Sequence, residues 1–299
     1  MKIAWIYGTC GINGADNSYY YIPALESIIN QQDVDVDVYN VDCLCPLTCR
    51  ESIDKKLSSK INRVLVNTPI SFPHTINKAW DKIKLMADYD MVVITDSGIK
   101  LPEDPLFLKR WIDSYKAVES NCGILMFPTD TDMEHRVPKI TGEYTEIPVG
   151  YHLGLHVVGF TKEYIQNYKR LLFDTLAYGT PEPAIIFATY AINKKAYMPS
   201  NFIFHHINLD GGSQHVHGGA SYYPPPPFPV EGGKEVNVDG LWSKIPGIRF
   251  PGMFLDIDFD IFNKVSKLEI KNIFNENFFI SDELYDREDL EIIVIERIK

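Results

Sequence analysis

A short apolar run closed by a polar cluster constrains this chain more than any other feature. In the stretch ADYDMVVITDSGIKLPED, residues 87–104, Met91 to Ile94 are apolar without alternation, and Thr95-Asp96-Ser97-Gly98 follows at once. A continuous apolar run of this length bounded by turn residues reads as a strand buried on both faces. Such strands belong to sheets covered by helices on both sides, and in open sheets of that kind ligands sit at the carboxyl ends of the strands. Asp96 therefore stands where a metal or a phosphate would be held. Gly98 beside it permits close approach of backbone.

The flanking sequence repeats the pattern. Lys2 to Tyr7 (KIAWIY) reads as a buried first strand, followed by the small-residue loop GTCGINGADNS. Asn17 or Ser18 is placed to cap a helix through YYYIPALESIINQQ. Asp33 to Val41 alternates acid and valine, which predicts a half-buried or edge strand closed by Asp42. Residues 43–63 read as irregular or weakly helical, and Arg63 to Asn67 as a third strand. Ile76, Ala79, Trp80, Ile83 and Met86 recur at helical spacing within 75–86. A helix over 106–118 and a strand over 122–127 complete an alternating α/β unit. Beyond it, 128–150 reads as a long loop or β excursion and 156–160 as a strand. Thr161 is placed to cap a helix running to Ala177. A helix over 181–190 and a short strand within 196–204 follow. The segment from His205 to Gly233, with four consecutive prolines, excludes regular structure.

Bulk properties exclude several classes. A net charge of −11 argues against an extensive basic nucleic-acid surface. No run reaches the roughly 20 apolar residues of a membrane span. MKIAWIYG lacks a signal-peptide pattern, which predicts a cytoplasmic protein whose five cysteines are reduced thiols. Cys43, Cys45 and Cys49 are close in sequence, but C-x-C-x3-C lacks the second paired half of a zinc site. His215-Val216-His217 with His206 and Asp210 is a second zinc pattern. Neither the dinucleotide fingerprint nor the P-loop is present.

Three segments, in order, resemble the family 2 glycosyltransferases with the GT-A fold. Asn67 to Asp96 resembles the family's small-residue turn, helix asparagine (here Asn77) and strand ending in an Asp-x-Asp motif. Phe173-Asp174, Tyr178-Gly179 and Glu182 resemble its F-D-x4-Y-G-E-D segment with a short insertion. Tyr197-Met198-Pro199, with His205 six residues later, resembles the tyrosine and proline that precede a metal-binding histidine. Together these cover about residues 1–206. The resemblance implies a Rossmann-like mixed α/β sheet flanked by helices and a C-terminal extension. It divides the chain into a nucleotide-sugar transferase domain at 1–206, a Gly/His/Pro-rich loop or lid at 207–239, and the extension at 240–299.

What the resemblance implies for chemistry is a metal-dependent, inverting transfer of a hexose or pentose from a nucleotide-diphosphate donor to an acceptor hydroxyl. Mn²⁺ or Mg²⁺ would be held by Asp96 and His205, with Glu182 as general base and Asp174 in reserve. Gly8, Thr9, Asp42, Asn77, Thr95, Asp96 and Ser97 would line the donor site, Asp42 accepting a hydrogen bond from the nucleotide base. Tyr222, Tyr223, Phe228 and Trp242 are candidates for stacking on a sugar acceptor. The acceptor is a glycan, a protein, a small molecule or a modified nucleobase. Two departures stand out: Gly98 replaces the second acid of Asp-x-Asp, and Pro183 follows Glu182 where an acid is common. They motivate an alternative, a GT-A domain that binds a nucleotide or glycan without turnover. A nucleotidyltransferase is disfavoured because GTCGINGADNS has no Lys or Arg to meet a triphosphate.

Overall fold

The structure, a computed structural model, describes residues 1–10, 16–43, 45–66, 72–130, 133, 138–148, 156–172, 181–207 and 292–297. Its centre is a nine-stranded mixed sheet. The strands are β1 (Lys2–Cys10), β2 (Asp35–Cys43), β3 (Asn62–Val66), β4 (Met91–Thr95), β6 (Cys122–Met126), β7 (Tyr144–Glu146), β8 (Val157–Thr161), β9 (Lys195–Pro199) and β11 (Ile292–Ile295). They lie in the order β11-β3-β2-β1-β4-β8-β6-β9-β7. A separate two-stranded ribbon pairs β5 (Ile99–Lys100) with β10 (His205–His206).

Strand direction decides where a site can form. β3, β2, β1 and β4 run parallel. β8 is inserted antiparallel between β4 and β6, which makes β6 parallel to β4, and β9 runs parallel to β6. The carboxyl ends of β1, β2, β4, β6 and β9 therefore open on one edge of the sheet.

Alternation along each strand feeds two cores. In β1, Ile3, Trp5 and Tyr7 join one apolar cluster and Ala4 and Ile6 the other. The first face is covered by α1 (Ser18–Ile29), α2 (Leu47–Leu57) and α4 (Phe107–Tyr115). The second is covered by α3 (Phe72–Ile83), α5 (Lys162–Tyr168) and α6 (Pro181–Ala191). All five residues of β4 are buried, as its unbroken apolar run requires. Ile76, Ala79, Trp80 and Ile83 of α3 are buried at the spacing read from sequence, with Met86 half-buried beside them.

Several expectations change. Of the two readings of the second strand, half-buried or edge, the edge one falls: β2 is hydrogen-bonded to both β1 and β3, while its first residues stay partly exposed. Asp37 meets Lys2 Nζ at 3.3 Å and an Arg297 guanidinium nitrogen at 3.2 Å. The strand starts at Asp35 because Asp33 has a left-handed φ of 55°. Residues 47–57, expected to be irregular or weakly helical, form α2, with Cys49, Ile53 and Leu57 buried one turn apart. Thr161 Oγ1 accepts the Tyr164 N–H at 3.3 Å and so caps α5. That helix stops at Tyr168, well short of Ala177, because Lys169 turns left-handed at φ 59°. Asn17 occupies the N-cap of α1 without a side-chain cap bond; Asp16 Oδ1 accepts the Ser18 N–H at 2.9 Å.

Of the C-terminal extension, the described part joins the main sheet. β11 pairs antiparallel with β3, and the Arg297 N–H donates to Asn62 Oδ1 at 3.0 Å. The lid segment from 208, with Asp210, His215, His217, Tyr222, Tyr223 and Phe228, lies outside the described residues, as does Trp242.

Candidate active site

The carboxyl end of β4 delivers Asp96 and Ser97 to the open edge of the sheet. The Asp96 N–H donates to the His156 carbonyl at 2.9 Å, which ties the strand end to the start of β8. Asp96 Oδ1 accepts the Ser97 N–H at 2.6 Å and lies 3.5 Å from the Ser97 hydroxyl. The hydroxyl of Tyr7 donates to the Ser97 carbonyl at 3.0 Å. Burial, with Tyr20 and Asp96 nearby, holds the Tyr7 phenol well above its ordinary pKa, so it stays protonated as that donor. Thr95 is buried, and its hydroxyl has no hydrogen-bond partner among the described residues.

His205 reaches the same edge by a different route. Chain leaving β9 folds back so that His205 pairs with Lys100 and His206 with Ile99, and the Ile207 N–H donates to the Gly98 carbonyl at 2.6 Å. The segments carrying Asp96 and His205 are thus hydrogen-bonded to each other. The His156 and His206 rings meet edge to face, centroids 5.4 Å apart.

The structure adds a residue that the sequence reading passed over. Asp130 lies just beyond β6 and bonds to both histidines of β10. Its Oδ2 is 3.3 Å from His205 Nδ1 and its Oδ1 accepts the His206 N–H at 2.9 Å. Asp130 sat unmarked in a stretch of Pro, Thr and acids. The signal was its position at the carboxyl end of a strand parallel to β4, which becomes visible only once β8 is known to lie between them.

The other donor-site candidates divide into two groups. Gly8 and Thr9 pair with Val41 and Asp42 at the ends of β1 and β2, on the same edge as Asp96. Thr9 Oγ1 takes an Asn40 amide N–H at 2.9 Å. Asp42 is almost wholly buried, and its carboxylate meets Arg50 Nε at 2.8 Å and the Cys45 N–H at 2.9 Å. The chain itself occupies the carboxylate that the resemblance directs at a nucleotide base. Cys45 and Cys49 beside it are buried free thiols. Asn77 is also committed internally: Oδ1 accepts the N–H groups of Leu171 and Leu172 at 3.0 and 3.1 Å, and Nδ2 donates to the Leu172 carbonyl at 2.7 Å. It pins the chain immediately before Phe173-Asp174. Asp174 lies outside the described residues; Glu182 falls in the first turn of α6, but its side chain is outside them too.

The side chains at this edge that could hold a divalent cation are those of Asp96 and His205. A carboxylate suits Mn²⁺ or Mg²⁺, whereas an imidazole nitrogen is a poor ligand for Mg²⁺ and so favours Mn²⁺ of the two. Among the described residues no group of three or more His, Cys, Asp and Glu side chains is placed to hold a metal. The zinc patterns at Cys43, Cys45 and Cys49 and at His206 thus gain no third ligand there, Cys43's side chain being outside the described set.

No protein-family model and no curated protein matches the chain. Solved structures do. The mannosyltransferase PcManGT from Pyrobaculum calidifontis, in complex with GDP-Man and Mn²⁺, superposes with a TM-score of 0.53 at 14% identity, over 71% of this chain and 58% of that one. S. aureus TarS 1–349 superposes with a TM-score of 0.50 at 15% identity, over 70% of this chain and 61% of that one. Its complex with UDP gives 0.51 at 15% identity, over 69% and 60%. The chain therefore spans about three-fifths of the length of these structures, and at such identity the likeness is one of fold. A helix-flanked mixed α/β sheet, structurally similar to the GT-A glycosyltransferases, is the architecture of this chain.

Proposed function

We propose that the protein is a metal-dependent glycosyltransferase that moves a sugar, with inversion, from a nucleoside-diphosphate donor to an acceptor hydroxyl. The observation that carries this reading is the pairing of the Asp96 and His205 segments through the β5–β10 ribbon and the Ile207-to-Gly98 hydrogen bond. Two residues far apart in sequence, of the types that hold a hard divalent cation, are brought to one sheet edge. The fold it shares with a GDP-Man and Mn²⁺ complex and a UDP complex supports the same reading.

Asp96 and His205 would hold the cation, which when bound would offset the charge on the leaving diphosphate. Ser97, whose N–H already orients the Asp96 carboxylate, is placed to meet ribose or phosphate. Thr95, Gly8 and Thr9 would lie beside the donor at the same edge. Glu182, in the first turn of α6, would take the acceptor proton as general base, with Asp174 in reserve. Asn77 acts by holding residues 171 and 172, and Asp42 with Arg50 by fixing the turn after β2.

The test is incubation with GDP-Man and a panel of UDP-sugars, with and without Mn²⁺, reading nucleoside diphosphate release. Mn²⁺-dependent release from at least one donor is the expected result. Measurable nucleotide binding without hydrolysis or transfer from any donor would leave the alternative, a binding domain without turnover, which Gly98 and Pro183 favour.

A further inference from the structure

We infer that Asp130 is the positioning residue for His205: it fixes the imidazole tautomer that leaves Nε2 bare for a divalent cation. This rests on the reading of His205 as a metal ligand and extends it to a residue outside every motif of the sequence.

The geometry is specific. A carboxylate has no proton to give, so both of its contacts here are accepted ones. Oδ1 takes the backbone N–H of His206 at 2.9 Å, and Oδ2 faces His205 Nδ1 at 3.3 Å. Nδ1 must then carry the ring proton, and the lone pair of the neutral ring lies on Nε2. Metal-binding histidines commonly donate the second ring nitrogen to a carboxylate in this way, which sets both tautomer and ring plane.

The carboxylate is itself held. The Asp130 N–H donates to the Phe204 carbonyl at 2.9 Å, the Phe204 N–H donates to Pro128 at 3.0 Å, and Thr129 bridges to Phe204. Phe204 is fully buried and packs on Trp5, Phe107 and Phe127. One end of the device is thus anchored in the core. The His205 side chain is 54% exposed, so its far nitrogen is open to an ion arriving from solvent.

Asp130→Asn separates positioning from simple support. The amide has one oxygen. Kept on the His206 N–H, it turns Nδ2 toward His205 Nδ1 and forces the proton onto Nε2, the form that cannot ligate through Nε2. Two readouts apply to the full-length protein. In the metal-free state, long-range ¹H–¹⁵N spectra of ¹⁵N-histidine protein report the His205 tautomer, identified with His205→Ala. Mn²⁺ affinity is read separately from the EPR signal of free Mn²⁺.

We expect the Nδ1–H tautomer in the wild type and Nε2–H in Asp130→Asn. Mn²⁺ affinity should fall by roughly 10- to 100-fold in that variant, with His205→Ala weaker still. If His205→Ala loses Mn²⁺ while Asp130→Asn keeps both the wild-type tautomer and affinity within twofold, the role of Asp130 is refuted and His205 stands as a ligand. If His205→Ala binds Mn²⁺ like the wild type, the metal reading of His205 is refuted and the inference falls with it.

Discussion

Asn77→Ala should loosen the loop before Asp174 without touching the donor site. Asn77 is buried and makes three hydrogen bonds to the backbone of Leu171 and Leu172, at 2.7, 3.0 and 3.1 Å. At about 1 kcal/mol net for each bond, truncation costs about 3 kcal/mol, and more if the freed N–H groups stay buried. For domains of this size that is a fall in Tm of roughly 6–12 °C. Chemical denaturation gives the free energy, and hydrogen exchange read by mass spectrometry over 169–172 gives its location. Asn77→Asp is the control. It keeps the acceptor for both N–H groups but sets an oxygen against the Leu172 carbonyl, so it should destabilise while retaining protection at Leu171 and Leu172. Because the pinned backbone leads directly into Phe173-Asp174, kcat should fall more than donor affinity. The reasoning is refuted if Asn77→Ala changes stability by less than about 0.5 kcal/mol and leaves those amides protected.

Arg50→Met strips the buried Asp42 carboxylate of its ion pair and should cost about 3–5 kcal/mol. Adding Asp42→Asn should recover at least half of that by removing the stranded charge, and an unchanged denaturation midpoint in Arg50→Met would contradict the pairing. Alkaline pH should destabilise the fold in a definite direction. Burial holds Tyr7 and Tyr164 well above the ordinary phenol value and pushes Tyr144 up to about 12. Raised folded-state values mean that their stability contribution is complete below about pH 10, where the unfolded chain keeps the same protons. It is lost as pH climbs above 10, at about 1.4 kcal/mol per pH unit for each such tyrosine. Circular dichroism alongside tyrosinate absorbance should show these phenols ionising only as the structure melts; complete ionisation near pH 10 in a native-like protein would contradict the burial.

Legibility in sequence followed the strength of the local signal. β4 was readable because four consecutive apolar residues, Met91 to Ile94, are closed at once by turn residues, and Asp96 followed from strand-end position. α3 was readable because its apolar stripe, Ile76, Ala79, Trp80 and Ile83, is unbroken. α2 was not, since its inward face is a single narrow row, Cys49, Ile53 and Leu57, among charged residues. The early end of α5 had no marker: the left-handed residue that stops it is Lys169, where a glycine would have signalled it. The site shows the same limit. Residues close to a strand end could be nominated from sequence, but Asp130 needed the antiparallel insertion of β8, a long-range pairing with no local signature. The internal engagement of Asp42 and Asn77 likewise depends on contacts 8 and about 95 residues away in sequence.

Asp96 is proposed to be the carboxylate that couples a divalent cation to a diphosphate. The direct measurement is the affinity of GDP and of UDP for the wild type and for Asp96→Ala, each with and without Mn²⁺, by isothermal titration calorimetry. Mn²⁺ should tighten nucleoside diphosphate binding at least tenfold in the wild type and have no effect in the variant, whose thermal unfolding should match the wild type because Asp96 lies at a strand end outside both cores. Equal Mn²⁺ enhancement in the two proteins would show that Asp96 is a turn residue and that the metal, if used, is held elsewhere.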